Sequence, residues 1–141
     1  MVKNYLISGP IMGNGISSLI KNLGEDTSAG GHSFFLGQVR ADILNGKKVK
    51  AIEYSAYEEM VKSEAEKIKS EILSEFGDVK NIDIIHSTGL VKAGGISLLV
   101  VVSAGHRHQA TAACTKAVEL VKERLPVWKK EIFDDDTYEW K

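Results

Sequence analysis

GISLLVVVS, residues 95–103, is the most apolar stretch of the chain, opened by Gly94-Gly95 and closed by the polar run Gly105-His106-Arg107-His108. An unbroken apolar run of this length suits a strand covered on both faces. Working outward, Ile82–Ser87 (IDIIHS) reads as a second strand on the N-terminal side. On the C-terminal side Ala110, Ala113, Cys114, Ala117, Val121 and Leu125 form one face of a helix over Gln109–Leu125. Pro126 stops that helix, because proline has no N–H to continue the ladder. Upstream, Val61, Ala65, Ile68, Ile72 and Phe76 recur at helical spacing with Lys and Glu opposite, which predicts an amphipathic helix over Glu58–Phe76.

Farther out, Ser33–Arg40 (SFFLGQVR) and Lys47–Tyr57 (KKVKAIEYSAY) read as strands, with Asn45-Gly46 as a hairpin turn between them because both residues tolerate positive φ. Asn14 is placed to cap a short helix through Ile16, Leu19, Ile20 and Leu23, and Gly13-Asn14-Gly15 reads as a turn rather than a dinucleotide fingerprint. GEDTSAGGHS (24–33) has the small polar composition of a mobile surface loop, and DDDTYEW (134–140) that of an edge strand guarded by acids. Two strands before the long helix and two after it predict an α+β fold with largely antiparallel sheets, in a single domain over 1–141.

Of 141 residues, 43% are hydrophobic and 26% charged, too apolar for a disordered tail and too polar for a membrane protein. A chain of this size buries roughly two thirds of its unfolded surface. Lys and Arg number 18 against 19 Asp and Glu, so a formal charge of −1 supplies no global field for nucleic acid or a membrane, and any anion site must be local. One cysteine, Cys114, allows no internal disulfide and no multi-cysteine metal site. The brief N-terminal apolar run, broken by Gly9 and Pro10, is no signal segment, so a reducing cytoplasm is the expected location.

Chemistry concentrates in two places. Lys122, Arg124, Lys129 and Lys130 flank Pro126, with Trp128 among them. On a helical wheel Lys122 lies at the edge of the apolar face beside Thr111 and Thr115, where its ammonium reaches a pocket rim. Crowding and partial burial there favour a lysine that releases its proton near neutrality, whereas the plain alternative is a helix C-terminus complementing its dipole. The second place is His106-Arg107, between a strand and a helix, where free backbone N–H groups favour an anion such as phosphate. His-x-His lacks neighbouring acidic or cysteine ligands, so neither metal nor cofactor is expected. His32 and His86 read as isolated, hydrogen-bonded histidines, and Cys114, set among alanines, as packing. Arg40 is either a solvated strand end or a cation aimed at the same pocket.

Taken together, FFLGQVR (34–40), Gly46, EYSAYEEM (53–60), IIHSTGLVKAGG (84–95), VVSAGHRHQA (101–110) and KERLPVWKKEIF (122–133) resemble the large, catalytic subunit of molybdopterin synthase, the MoaE family. The blocks keep their order over about 100 residues, and the combination is specific. The resemblance implies an α/β hammerhead-type fold and a dimer of large subunits carrying a small ubiquitin-like sulfur carrier at each end, a heterotetramer. It implies conversion of cyclic pyranopterin monophosphate (precursor Z) to molybdopterin, with each dithiolene sulfur delivered as the thiocarboxylate on the carrier's C-terminal Gly-Gly. It makes Lys122 and Lys129 catalytic, and Arg40, His106, Arg107, Phe34 and Lys130 substrate-binding. Gly105 departs from the residue common in the family, which is expected to loosen the turn before His106, and the tail ends soon after Trp140.

Precursor Z and a thiocarboxylate are both anionic, so a local cationic pocket on a nearly neutral protein suits the chemistry, and no cysteine is required because the partner brings the sulfur. Arg107 and Lys122 lie fifteen positions apart, mostly along one helix, hence roughly 20 Å. Both serve one substrate only if Arg107 comes from a neighbouring subunit. The rival reading is a noncatalytic module that docks an anion or an acidic partner. The charge balance argues against RNA.

Overall fold

A computed structural model describes residues 5–141. Eleven elements follow one another: β1 (Leu6–Ser8), α1 (Gly13–Leu23), β2 (Gly31–Gln38), β3 (Ile43–Leu44), β4 (Lys47–Ala56), α2 (Glu58–Glu75), β5 (Val79–Lys92), β6 (Ile96–Ala104), α3 (Arg107–Arg124), β7 (Val127–Phe133) and β8 (Tyr138–Trp140). The strands join in the order β2-β6-β5-β4-β7-β8, with β1 parallel to β5 and β3 antiparallel to β4. This is the α+β, largely antiparallel fold expected from the pattern of elements.

The apolar run of β6 has a direct explanation. Leu98, Val100 and Val102 pack against α2 and α3 together with Val61, Ile68, Ala113 and Ala117. Leu99 and Val101 alternate to the other face and meet Ile11, Leu19 and Phe34 beneath α1. A strand sandwiched in this way must be apolar at every position. The same alternation splits the neighbours Phe34 and Phe35 between the two faces.

β5 is far longer than the six residues predicted. Its first part pairs with β6 from Val79 to His86, and its last part pairs with β4 from Gly89 to Lys92. Gly89 stands at the changeover with φ +78°, a conformation that favours glycine. β5 therefore belongs both to the half of the sheet covered by helices and to the half carrying β4, β7 and β8.

Several boundaries differ from those expected. Asn45 and Gly46 do form a turn of positive φ, 52° and 78°, but it closes the short β3–β4 hairpin, while β2 pairs with β6 instead. Gly13-Asn14-Gly15 is the first turn of α1 rather than a separate turn, Met12 takes the cap position, and the Asn14 side chain accepts from the N–H of Gly15 next to it. The loop from Gly24 ends at Gly30, because β2 already begins at Gly31. β1, β3 and β7 lie where the sequence pattern predicts no strand, and the acidic stretch 134–136 is the turn between β7 and β8 rather than strand.

Candidate active site

Where the helical layer stops and the sheet continues, a cavity of about 330 Å³ opens. Lys122 from the last turn of α3, Lys129 and Glu131 from β7, Tyr54 from β4, His86 from β5 and Arg40 just past β2 line it. Local geometry explains each position. Val121 is buried and Lys122 follows it by one residue, so its stem lies along the edge of the apolar face. In β7, Val127, Lys129 and Glu131 alternate into the cavity, which turns Trp128 and Lys130 to the opposite face.

The electrostatics are those of crowded cations with limited water. Burial pushes the Lys129 ammonium below its ordinary pKa, the charges of Lys122 and Lys141 push it further, and Glu131 opposes them. Glu131 is only 3% exposed, and the Lys141 Nζ lies 3.5 Å from its Oε2. Tyr54 donates its hydroxyl to Ser97 Oγ at 3.0 Å. Such a site suits an anion, and its buried lysine exchanges a proton more readily than a solvated one. Arg40 stands at the rim, where its Nε donates to Asp42 Oδ1 at 2.6 Å.

The structure divides the predicted site residues into two groups. Lys122, Lys129 and Arg40 come together in the cavity. Lys130 does not: its Nζ lies 3.4 Å from Glu53 Oε1 and 4.3 Å from the Tyr138 ring centroid, on the outer face of the sheet. Phe34 packs on the α1 face, and Phe35 is the β2 aromatic that reaches the cavity. Arg124 spans to α2, with Nε 2.7 Å from Glu64 and Nη1 2.6 Å from Glu71, so it ties the two helices together. His106 and Arg107 sit at the opposite end of α3 from Lys122.

The anion at that helix start is the chain's own Asp78 carboxylate. Its Oδ2 accepts from the His106 N–H at 2.8 Å and lies 3.1 Å from the ring Nδ1. The His106 hydrogen bond holds the Asp78 carboxyl below its usual range. Gly105 does not loosen this turn. A Cβ there would stand 2.5 Å from Asp78 Oδ1, so the glycine is what lets the carboxylate approach.

His32 bonds Ser103 Oγ at 2.7 Å through Nδ1, as an isolated histidine should. His86 also has its bond, from Nδ1 to the Ser87 carbonyl at 2.8 Å, yet it lines the cavity, which its reading as an isolated residue missed. The signal was strand phase: Ile82 and Ile84 face the helical layer, so His86, two residues on, marks where that layer gives way to the cavity. Cys114 is buried within α3, its Sγ 4.0 Å from the Val100 carbonyl, and burial pushes its thiol pKa up. Among the described residues, no three His, Cys, Asp or Glu side chains come together as a metal site, and no helix is long and apolar enough to cross a membrane.

These features define an α+β fold of the hammerhead type, with Lys122, Lys129 and Arg40 brought together in one thiol-free cavity at the end of the helical layer. The chain belongs to the MoaE protein family, whose model matches residues 12–124. The molybdopterin synthase catalytic subunit of Pyrococcus abyssi is 44% identical over 112 residues, covering 79% of this chain and 74% of that one. A solved molybdopterin synthase from Staphylococcus aureus superposes with a TM-score of 0.86 at 29% identity, over 100% of this chain and 98% of that one. The complex of subunits 1 and 2 of the molybdopterin-converting factor from Helicobacter pylori shares the fold, with a TM-score of 0.79 at 21% identity, over 96% of this chain and 87% of that one. The chain spans about a third of the length of Drosophila relatives that it also matches, 34% of the Drosophila grimshawi molybdopterin synthase catalytic subunit at 44% identity over 123 residues and 86% of this chain.

Proposed function

We propose that this protein is the catalytic subunit of a molybdopterin synthase, with residues 1–141 acting as one large-subunit domain in the cytoplasm. It converts precursor Z to molybdopterin, taking each dithiolene sulfur from the thiocarboxylated Gly-Gly tail of a small ubiquitin-like carrier. The observation that carries this reading is the meeting of Lys122, Lys129 and Arg40 in one cavity that contains no thiol. Two anions, a cyclic phosphate and a thiocarboxylate, must meet there, and the sulfur arrives with the partner.

On this reading Lys122 and Lys129 hold the thiocarboxylate and move protons during sulfur addition, and Arg40 holds the pterin phosphate at the rim. His106 and Arg107 complete the site from a second copy. α3 has 18 residues and so separates its ends by about 27 Å. β2 is the outer strand of its sheet and covers a similar distance, with Gly31 next to Arg107 and Arg40 just beyond its far end. Antiparallel pairing of β2 with its counterpart in a second copy lays the Gly31 end of one beside the Gln38 end of the other. That brings Arg107 of the partner subunit toward Arg40 and the two lysines.

The test is mass spectrometry of precursor Z incubated with this protein and a thiocarboxylated carrier. The dithiolene product is expected, and carrier binding without product makes the protein a docking module instead. Lys122→Ala is expected to keep its fold and lose most sulfur transfer. Lys122→Arg keeps the charge but cannot release a proton, so recovered activity in that variant assigns Lys122 an electrostatic role alone.

A further inference from the structure

Of the residues that one chain contributes to the cavity, His86 is the one imidazole, and its surroundings determine which of its nitrogens can act. The Ser87 carbonyl 2.8 Å from Nδ1 can only accept, so Nδ1 carries the proton. The Tyr54 ring meets the imidazole edge-on, with centroids 5.0 Å apart at 73°, and locks its plane. The nitrogen left with a lone pair is Nε2, on a ring that lines the same cavity as Lys122 and Lys129. This arrangement fixes the tautomer and orients a base through a second group, as in sites that abstract a proton.

The proposed reaction requires such a base. Once the thiocarboxylate sulfur has bonded to the pterin, carrier and substrate are joined through an acyl–sulfur bond. Leaving the sulfur behind requires water to cleave that bond. Water must lose a proton as it attacks the acyl carbon, the carbon–sulfur bond breaks, the sulfur stays on the pterin as a thiolate, and the carrier's new carboxylic acid gives the water's second proton to solvent and leaves as a carboxylate.

We propose that His86 is the general base of this hydrolysis, its Nε2 taking the proton from the attacking water. The inference rests on the functional reading above. Lys122 and Lys129 then face the developing negative charge on the acyl oxygen and the thiolate. The charged and titratable groups around the ring are Lys122 from α3, Lys129 and Glu131 from β7, Tyr54 from β4, Arg40 and Asp42 from the segment after β2, and Lys141 at the cavity edge. Burial first, and then the charges of Lys129 and Lys122, hold the imidazole below its ordinary pKa, so Nε2 is unprotonated at neutral pH. Turnover should therefore fall as pH drops through that lowered value.

Two measurements test the proposal. The first needs no activity: nitrogen NMR of labelled histidine should show His86 as the Nδ1–H tautomer, with a pKa below that of a solvated imidazole that rises in Lys129→Met. The Nε2–H tautomer, or a pKa indifferent to Lys129, overturns it. The second uses His86→Asn, whose amide can keep the bond to the Ser87 carbonyl but offers no base. Turnover should fall about 10²- to 10⁴-fold, lose its acidic limb, and leave the carrier–pterin adduct visible by intact mass. Wild-type turnover with an unchanged pH profile, or slow turnover without accumulated adduct, overturns the proposal. A melting curve matching wild type confirms that the variant is folded, and His86→Gln provides the same readouts if it is not. If wild-type protein makes no product at all, the functional reading fails, and the assigned step fails with it whatever the tautomer.

Discussion

Burial and then the nearby Lys122 charge help Lys129 to give up its proton. Lys122→Met should therefore raise the Lys129 pKa toward that of a solvated amine, read by NMR of lysine labelled at the ε-carbon, and an unmoved value would mean that the two charges do not feel each other. A different kind of residue sits under α1. Among the described residues, Asp83 Oδ1 is the one buried side-chain oxygen without a partner, while its Oδ2 accepts from Asn81 at 3.3 Å. Asp83→Asn keeps an acceptor for Asn81 and replaces one oxygen of a carboxylate whose Oδ1 is buried without a partner, and is expected to raise the denaturant midpoint at unchanged slope. Single residues were legible where one physical rule decided them. Lys122 followed from its wheel angle and Cys114 from its alanine neighbours. Phe34, Lys130 and His86 turn on which face of a strand a residue occupies, and a shift of one residue reverses that answer.

At the scale of elements, the start of α3 is a crossing of two backbones. A Cβ on Gly30 would lie 2.2 Å from the Gly105 carbonyl oxygen, a backbone atom that cannot swing aside. Gly30→Ala should therefore cost ~1–3 kcal/mol by forcing the β2 start away from α3, and should appear as a lower melting temperature. The β7–β8 turn is held differently. Hydrogen bonds from Thr137, side chain first and then backbone, together with the nearby Lys47, lower the Asp135 pKa to about 2. A carboxylate depressed in the folded state supports its turn above the ordinary carboxylate range and loses that support as pH falls through about 2. The Thr137 amide should stay protected from exchange at pH 4 and lose protection near pH 2. α2, α3 and β6 could be read from periodicity because each buries a continuous face. Of β5 only the Ile82–Ser87 part could be read, since the strand runs on into the other half of the sheet, and β7 could not, since it alternates lysines between a cavity and solvent.

For the whole molecule, the α+β class was legible from the order of elements, but the pairing of β2 with β6 was not, because short-range turn signals favoured a neighbour in sequence. The placement of His106 and Arg107 far from Lys122 makes assembly the decisive question. Mixing Lys122→Ala with Arg107→Ala proteins under conditions of subunit exchange creates dimers with one doubly damaged site and one intact site. Activity should return toward half of wild type per mixed dimer, and activity fixed at the parental level despite confirmed exchange makes each site self-contained. Carrier binding should weaken with added salt, since exposed cations at the rim are screened, and calorimetry at two ionic strengths reads this directly.

The buried thiol of Cys114 has a last implication for how the molecule handles sulfur. The one cysteine of this sequence is sealed between α3 and the sheet, so it offers the cavity no thiol on which a persulfide could form. On the proposed function, each sulfur atom is then carried in and consumed on the same visit, and a product with two of them takes two successive deliveries to each site. The same seal makes the folded protein indifferent to thiol-alkylating reagents. Treatment with iodoacetamide should leave both its mass and its turnover unchanged until denaturant opens the core.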